Sequence, residues 1–264
     1  MERTFGKVAA VTGATGAIGS AIATGIAAQP GWEVVLVSRD VSKAKQTVEC
    51  IVNATGNRRV RYEAADVSRR TAVEALAARW QGPLHVLVND AAVTPKRRKE
   101  TPEGIELQFA TNVLGYFWMI QAFADILKRS APARVVNVAS DWAGDLELDD
   151  LEFKRRRYDN NEAYRQSKQA DRMLTVPFAE RLKPLGVTVN ACHPGEVPSA
   201  LSHNLGFHGH HTPEEGARTP VWLATDPACG TVTGKYFADC RQVRCRFAGD
   251  RAGFEALFAT CLLY

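Results

Sequence analysis

Few features of a secreted or membrane-spanning protein are present in this sequence. The six cysteines are scattered over 264 residues without a close C-x-x-C pair, so we predict reduced thiols rather than a disulfide framework. No stretch approaches about 20 uninterrupted apolar residues, so no transmembrane helix is predicted. The first residues lead directly into the apolar run KVAAVTG and leave no room for a secretory signal. We therefore expect a soluble, cytoplasmic protein without a membrane anchor.

A strong excess of one charge is also absent. The formal net charge is +4, and the basic runs KRR at 96–98 and KRRR at 154–157 stand far apart in the sequence. Two short runs are more typical of solvated loops than of a nucleic-acid surface, so no nucleic-acid partner is predicted. The histidines at 208, 210 and 211 lack nearby cysteine or aspartate ligands, and no metal site is predicted.

Apolar runs alternate with helical patterns along the chain. With 45% hydrophobic residues, the chain can bury one large core, so we predict one domain over residues 1–264. The alternation is typical of βαβ units and predicts an α/β protein with a doubly wound, mostly parallel sheet and helices on both faces. Seven strands are predicted, at 7–13, 32–39, 59–67, 84–92, 133–140, 187–195 and 235–240. The predicted helices span 19–29, 42–53, 71–80, 104–130 and 162–183.

One further helix has a clear start signal. Thr212, Pro213 and Glu215 supply an N-cap, a proline at the first helical position and a carboxylate at the third. This combination predicts a helix from Pro213 toward Ala224. The preceding segment 196–212, EVPSALSHNLGFHGHHT, then lies between a strand and a helix, where a substrate lid is expected. Its apolar residues Leu201, Leu205 and Phe207, together with Trp142, could line a substrate site, or could simply pack the loop.

The glycine-rich stretch VTGATGAIGSAIA follows the first strand and opens the first helix. Gly13, Gly16 and Gly19 would let backbone N–H groups approach a pyrophosphate at the helix N-terminus, which predicts a dinucleotide site. At the tip of the second strand, Ser38 and Arg39 stand where an acidic residue would bind the ribose of NAD. A guanidinium suits a 2′-phosphate, so NADP(H) is the preferred cofactor and NAD(H) the alternative.

Tyr164 and Lys168 are four residues apart in NNEAYRQSKQA. On a helix they would project from one face. Taken alone, the pair could be an exposed surface feature. Together with the dinucleotide motif, it predicts an acid/base pair in which the lysine charge lowers the pKa of the phenol. Ser140, at the end of the fifth predicted strand, would lie in the same crevice.

Several motifs in order resemble the short-chain dehydrogenase/reductase family, and within it the branch of retinol dehydrogenases and WW-domain oxidoreductases. The motifs are TGATGAIG, SRDVSK, ADV, VNDAAV, TNVLGYF, RVVNVAS, YRQSK, HPG and PEEGA, followed by GKYFADC. The resemblance covers nearly the whole chain and implies a Rossmann fold and hydride transfer between a nicotinamide and an alcohol or carbonyl substrate. It implies Asn112, Ser140, Tyr164 and Lys168 as the catalytic set. The implied cofactor-binding residues are Gly13, Thr15, Gly16, Ala17, Ile18, Gly19, Ser38, Arg39, Asp66, Val67, Asn89, Ala91, Tyr164, Lys168, Pro194, Gly195, Val197 and Ser199.

The sequence departs from the pattern of this branch in two loops. The glycine spacing is G-x-x-G-x-x-G, as in epimerase-like relatives, and the usual N-N-A-G reads NDAA, with Asp90 and Ala92. We predict an NADP-preferring oxidoreductase that interconverts an alcohol and an aldehyde or ketone, with Tyr164 as proton donor or acceptor. Its expected partners are an apolar carbonyl compound, such as a retinoid, and a second copy of the chain in a homodimer. The alternatives are a dinucleotide-binding regulator without turnover and an epimerase-like NAD enzyme.

Overall fold

A computed structural model describes residues 6–264. Eight strands form one sheet in the order β3-β2-β1-β4-β5-β6-β7-β8, in which β1 to β7 are parallel and β8 is antiparallel to β7. The strands are β1 Lys7–Thr12, β2 Trp32–Ser38, β3 Val60–Ala64, β4 Val86–Asn89, β5 Ala133–Val138, β6 Val187–Cys192, β7 Tyr236–Ala238 and β8 Arg241–Val243. This architecture confirms the predicted α/β Rossmann fold. Because the strand order reverses beside β1, a crevice opens at the carboxyl ends of β1 and β4, where such sheets bind ligands.

Helices cover both faces of the sheet and bury a separate apolar layer on each side. One layer contains Ile22, Ile51 and Leu223, and the other contains Phe117 and Phe254. The strands between them are nearly continuous runs of valine, leucine and alanine, as expected for a parallel sheet covered on both faces. The helices are α1 Ala17–Ala27, α2 Val41–Thr55, α3 Arg70–Arg79, α4 Gly115–Arg129, α5 Asn160–Leu182, α6 Ala200–Asn204, α7 Pro213–Thr225 and α8 Arg251–Cys261.

The prediction of seven strands was wrong by one. The segment predicted as a single strand at 235–240 turns back on itself at Asp239 and Cys240, which have φ angles of 48° and 56°. Two successive residues with positive φ are typical of the tight turn that joins antiparallel strands. Because neither is glycine or asparagine, the sequence carries little signal for this hairpin, and β8 was missed.

The start of α7 was predicted correctly. The Thr212 side chain accepts a hydrogen bond from the Glu215 backbone N–H, and the Glu215 carboxylate accepts one from Thr212 N. This reciprocal cap fixes where the preceding segment 196–212 must end. In residues 6–264, no helix has both the length and the hydropathy needed to cross a bilayer. The prediction about a secretory signal concerns in part residues 1–5, which lie outside the described residues.

Candidate active site

A cleft of about 550 Å³ lies at the carboxyl ends of the parallel strands. The loops after the six strands β1 to β6 contribute its walls, so residues far apart in sequence meet there. Seventeen of the residues predicted for the site line this cleft: Gly13, Thr15, Gly16, Ala17, Ile18, Ser38, Arg39, Asp66, Val67, Ala91, Ser140, Tyr164, Lys168, Pro194, Gly195, Val197 and Ser199.

The other three predicted residues, Gly19, Asn89 and Asn112, lie behind the cleft wall. Asn89 is fully buried and its Nδ2 donates to Asn137 Oδ1 at 3.0 Å, which links β4 to β5. Asn112 lies in the π-helical turn Phe109–Leu114, where its Oδ1 accepts from Val93 N at 2.8 Å and its Nδ2 donates to Ser167 Oγ at 3.2 Å. These contacts tie the cleft loop after β4 to α5.

The phosphate turn has the geometry that a dinucleotide requires. Gly13 has φ +68°, and a Cβ there would lie 2.7 Å from the Ala91 backbone. Gly16 is the N-cap of α1, and no side chain among residues 6–264 caps it. The first N–H groups of an 11-residue helix therefore face the cleft and are free to bind a pyrophosphate. The residues present fit a nicotinamide dinucleotide.

The other end of the cleft is cationic. Ser38 Oγ lies 3.5 Å from Thr15 Oγ1, and the next residue, Arg39, lines the cleft together with Lys43. Asp66 also lines this end, and its carboxylate accepts hydrogen bonds from Ser68 N and Oγ. Lys43 was missed by the sequence analysis. Its position four residues after Arg39, in the first turn of α2, is the signal that could have identified it.

Tyr164 and Lys168 lie one turn apart on α5 and face the cleft, not bulk water. Asp159 begins this helix because its carboxylate accepts from the backbone N–H groups of Asn161 and Glu162. Tyr164 is 8% exposed and Lys168 is 2% exposed. Lys168 Nζ lies 6.0 Å from the centre of the Tyr164 ring. The pair is therefore desolvated, a setting in which charges interact strongly.

Burial changes the pKa of the Tyr164 phenol more than the charge of Lys168 does. The pKa of Tyr164 is raised because burial disfavours the phenolate, while the Lys168 charge and the neighbouring Ser140 hydroxyl lower it in part. From the sequence, we predicted that the Lys168 charge would lower the pKa of Tyr164. The opposite effect of desolvation has no sequence signal, because burial depends on how α5 packs against the sheet. The ligand-free phenol is thus protonated at neutral pH.

Ser140 extends from the end of β5 into the same part of the cleft. Its Oγ accepts a hydrogen bond from Trp142 N at 3.1 Å. The Ser140 side chain is 7% exposed. A hydroxyl held in this way can donate its proton to a substrate oxygen.

Asp90 adds a carboxyl group to the cleft wall. Its backbone N–H donates to Thr12 Oγ1 at 3.0 Å, which holds the loop after β4 against β1. The Asp90 carboxyl lies beside Gly19, where a Cβ would come within 2.8 Å of Oδ2. Burial raises the pKa of Asp90 to about 8, although the Lys168 charge lowers it. Asp90 is therefore largely protonated, and so uncharged, at neutral pH.

Apolar side chains surround the cleft near Tyr164. Leu201, Leu205, Phe207 and Trp142, which the sequence analysis had named, all line it. The Trp142 ring lies 5.8 Å from the ring of Tyr164 and 4.5 Å from that of Phe207. Segment 196–212 is anchored to the opposite wall, where Thr94 Oγ1 donates to Leu201 O at 3.3 Å. The reacting end of the cleft is therefore lined by apolar side chains, and segment 196–212 covers part of it.

Comparison with known proteins agrees with this geometry. The family model described as short chain dehydrogenase matches residues 7–207. Retinol dehydrogenase 13 of Mus musculus is 34% identical over 257 residues, which cover 90% of this chain and 77% of that protein. A probable oxidoreductase of Streptomyces antibioticus is 36% identical over 260 residues, covering 90% of this chain and 87% of that protein.

Solved structures share the fold over almost the entire length. A crystal structure of an uncharacterized protein from Mycobacterium Paratuberculosis has a TM-score of 0.80 and 25% identity, covering 97% of this chain and 92% of that one. A Pseudomonas aeruginosa RhlG/NADP active-site complex has a TM-score of 0.71 and 25% identity, covering 94% and 100%. The chain therefore belongs to the short-chain dehydrogenase family, whose members are NAD(P)-dependent oxidoreductases that interconvert alcohols and carbonyl compounds.

Proposed function

We propose that this protein is an NADP-preferring oxidoreductase that reduces apolar aldehydes or ketones, with Tyr164 as the proton donor. The observation that carries the proposal is the convergence of Ser140, Tyr164 and Lys168 at the apolar end of one cleft. The opposite end of that cleft carries Arg39 and Lys43. A dinucleotide that spans the two ends would place its reactive ring beside the phenol.

In the proposed mechanism, the chain positions the substrate and delivers a proton. When bound, the reduced nicotinamide supplies the hydride. The Ser140 hydroxyl donates a hydrogen bond to the carbonyl oxygen and stabilises the negative charge that develops there. The buried Tyr164 phenol then gives its proton to that oxygen. Trp142 and Phe207 place apolar surface beside the reacting atoms and limit the access of water to them.

The preference for NADP(H) rests on charge at the adenosine end. Arg39 and Lys43 both line the cleft next to Ser38. Among the residues described, the carboxylate nearest to Lys43 Nζ is that of Asp40, at 4.0 Å. A 2′-phosphate would be bound by two cations there, whereas NAD(H) would offer them only a neutral hydroxyl.

The apolar character of the substrate rests on segment 196–212, which we propose acts as a lid on a single domain spanning 1–264. The wall formed by Leu201, Leu205 and Phe207 offers carbon surface rather than charge. Several relatives carry the name retinol dehydrogenase. A retinoid aldehyde is therefore one substrate to test. A homodimer remains a prediction, and light scattering after size-exclusion chromatography would check it.

The experiment that tests this function is a fluorescence titration with NADPH and NADH, followed by a panel of aldehydes and ketones of increasing chain length. We expect NADPH to bind more tightly and long apolar carbonyls to be reduced fastest. Saturable NADPH binding without turnover of any compound would contradict the enzyme and favour the dinucleotide-binding regulator. Tighter binding of NADH would contradict the proposed cofactor preference.

A further inference from the structure

The ammonium group of Lys168 is fully engaged by other residues of the chain. Lys168 Nζ donates to Val138 O at 2.9 Å and to Asp171 Oδ2 at 3.0 Å, and it approaches Tyr116 Oη at 3.5 Å. An ammonium group has three protons. Each of them therefore has an acceptor here before any ligand binds.

Asp171 is the unexpected member of this set. It follows Lys168 by three residues on α5, so the two side chains project from the same face of the helix. The Asp171 side chain is 0% exposed, and its second oxygen, Oδ1, has no hydrogen-bond partner among residues 6–264. A buried carboxylate is costly unless it is paired, so its charge depends on Lys168.

The other titratable groups around this pair carry little charge at neutral pH. They are Tyr116 on α4, Tyr164 on α5, Asp90 after β4, Cys192 at the end of β6 and Cys261 on α8. Burial raises the pKa of each of the two phenols and the two thiols, and it raises the pKa of Asp90 to about 8. Burial also raises the pKa of Asp171, to about 7, although the charge of Lys168 and its hydrogen bond lower it in part. Above that pH, Lys168 and Asp171 are the main opposite charges beside Tyr164.

A lysine that is paired with a carboxylate lowers the pKa of a neighbouring phenol less than an unpaired lysine does. The positive charge of Lys168 favours the phenolate of Tyr164, whereas the negative charge of Asp171 disfavours it. Because the two charges lie 3.0 Å apart, Tyr164 senses a dipole rather than a full cation. The electrostatic help that the phenolate receives from Lys168 is correspondingly reduced.

We propose that Asp171 is a positioning residue that balances the charge of Lys168, adds to the effect of burial in disfavouring the Tyr164 phenolate, and so biases this enzyme toward carbonyl reduction. The inference rests on the proposed function. In reduction, the carbonyl carbon gains a hydride from the reduced nicotinamide, the Tyr164 O–H bond breaks, and the proton forms the new alcohol O–H bond. The phenolate left behind regains a proton from water. Alcohol oxidation requires the phenolate at the start and should therefore need alkaline solution.

The test is the variant Asp171→Asn, which removes the negative charge and keeps an oxygen that can accept from Lys168. The control is Asp125→Asn, which removes an exposed carboxylate on α4. The value of kcat/KM for alcohol oxidation rises with pH, and in Asp171→Asn this rise should occur about one pH unit below that of the wild type. Such a shift is equivalent to about tenfold more phenolate at a given pH. The control should keep the wild-type pH profile. An unchanged profile in folded Asp171→Asn would overturn the proposal.

A second measurement needs no turnover, and its wild-type part needs no Asp171 variant. NMR of protein labelled with ¹³C at tyrosine Cζ follows the titration of each of the six tyrosines, and Tyr164→Phe identifies the signal of Tyr164. We expect wild-type Tyr164 to titrate above the ordinary value of about 10, and lower in Asp171→Asn. Titration of wild-type Tyr164 below that ordinary value would refute the charge balance. Since this readout requires no substrate, it separates failure of this inference from failure of the proposed function.

Discussion

Trp142 and Phe207 meet edge to face, with ring centroids 4.5 Å apart and ring planes at 86°. Trp142 follows β5, whereas Phe207 belongs to segment 196–212, so the contact joins the end of β5 to that segment. Trp142 also lies 5.8 Å from Tyr164. In the proposed function, this contact holds the lid near Tyr164, over part of the substrate site.

Phe207→Ala should weaken the reduction of long apolar carbonyls. An aromatic pair contributes about 1 kcal/mol beyond its buried area, so we expect kcat/KM to fall about fivefold, mainly through KM. Short aldehydes should be affected less, because they do not reach the lid. Leu263→Ala, which removes an apolar side chain that is 85% exposed, is the control. Equal losses for short and long substrates would argue against a role of Phe207 in substrate binding.

Tyr164→Phe should remove turnover and retain cofactor binding. Loss of a general acid lowers rates by about 10²- to 10⁴-fold, while the cleft keeps its shape because only the hydroxyl is removed. Steady-state kinetics and NADPH fluorescence titration measure the two effects separately. Tyr62→Phe, on β3, makes the same chemical change away from the cleft and should leave both values unchanged. Turnover at the wild-type rate in Tyr164→Phe would disprove the proton-donor role.

Arg39→Ala and Lys43→Ala should each weaken NADPH binding more than NADH binding. A hydrogen bond to a charged group contributes about 1.5–3 kcal/mol, so the NADPH Kd should rise about 10- to 100-fold at low salt. The control is Lys45→Ala, since Lys45 is exposed on the same helix, α2. If either variant weakened both dinucleotides equally, the residue would not recognise the 2′-phosphate.

Gly19→Ala should reduce the affinity for NADPH and NADH together. Its Cβ would lie 2.4 Å from Gly13 O and 2.8 Å from Asp90 Oδ2, so the phosphate turn would have to move. Forcing an extra methyl into such a contact costs about 1–3 kcal/mol. Thermal melting and titration with both cofactors provide the measurement. Gly249→Ala, where the added Cβ would meet open space in the described part of the chain, should behave as wild type.

Glu106→Gln should flatten the pH dependence of stability. Burial raises the pKa of Glu106 from 4.5 to about 7, although hydrogen bonds from the backbone N–H groups of Gln108 and Phe109 lower it in part. The folded state therefore binds a proton that the unfolded state releases. The contribution of this bound proton to the free energy of unfolding is fully present below about pH 4.5 and is lost as the pH rises through about 7. The shift corresponds to roughly 3 kcal/mol.

Urea unfolding at about pH 4 and about pH 7.5 measures this contribution. The wild type should lose stability over this interval relative to Glu106→Gln. Glu49→Gln, at an exposed position on α2, should follow the wild type. Parallel curves for the wild type and Glu106→Gln would show that folding does not shift the pKa of Glu106.

The sequence was most informative where structure depends on neighbouring residues. The Thr212, Pro213 and Glu215 signal located the start of α7, because a capping box is formed within four residues. The glycines after β1 and the spacing of Tyr164 and Lys168 could likewise be identified from the sequence, because each motif lies within a single turn or a single helix. The hairpin at Asp239 and Cys240 left no comparable signal, because its turn residues are neither glycine nor asparagine.

The sequence alone therefore determined the Rossmann fold, the glycine-rich turn after β1 and the set of groups available for acid/base chemistry, because periodicity and short-range motifs encode them. The tertiary structure decided the electrostatics of those groups. It buried Tyr164, brought Lys43 into the cleft beside Arg39, and left Asp171 and Lys168 paired out of contact with water. Desolvation arises because α5 packs against the sheet. The residues in such contacts lie far apart in the sequence, and no local motif identifies them.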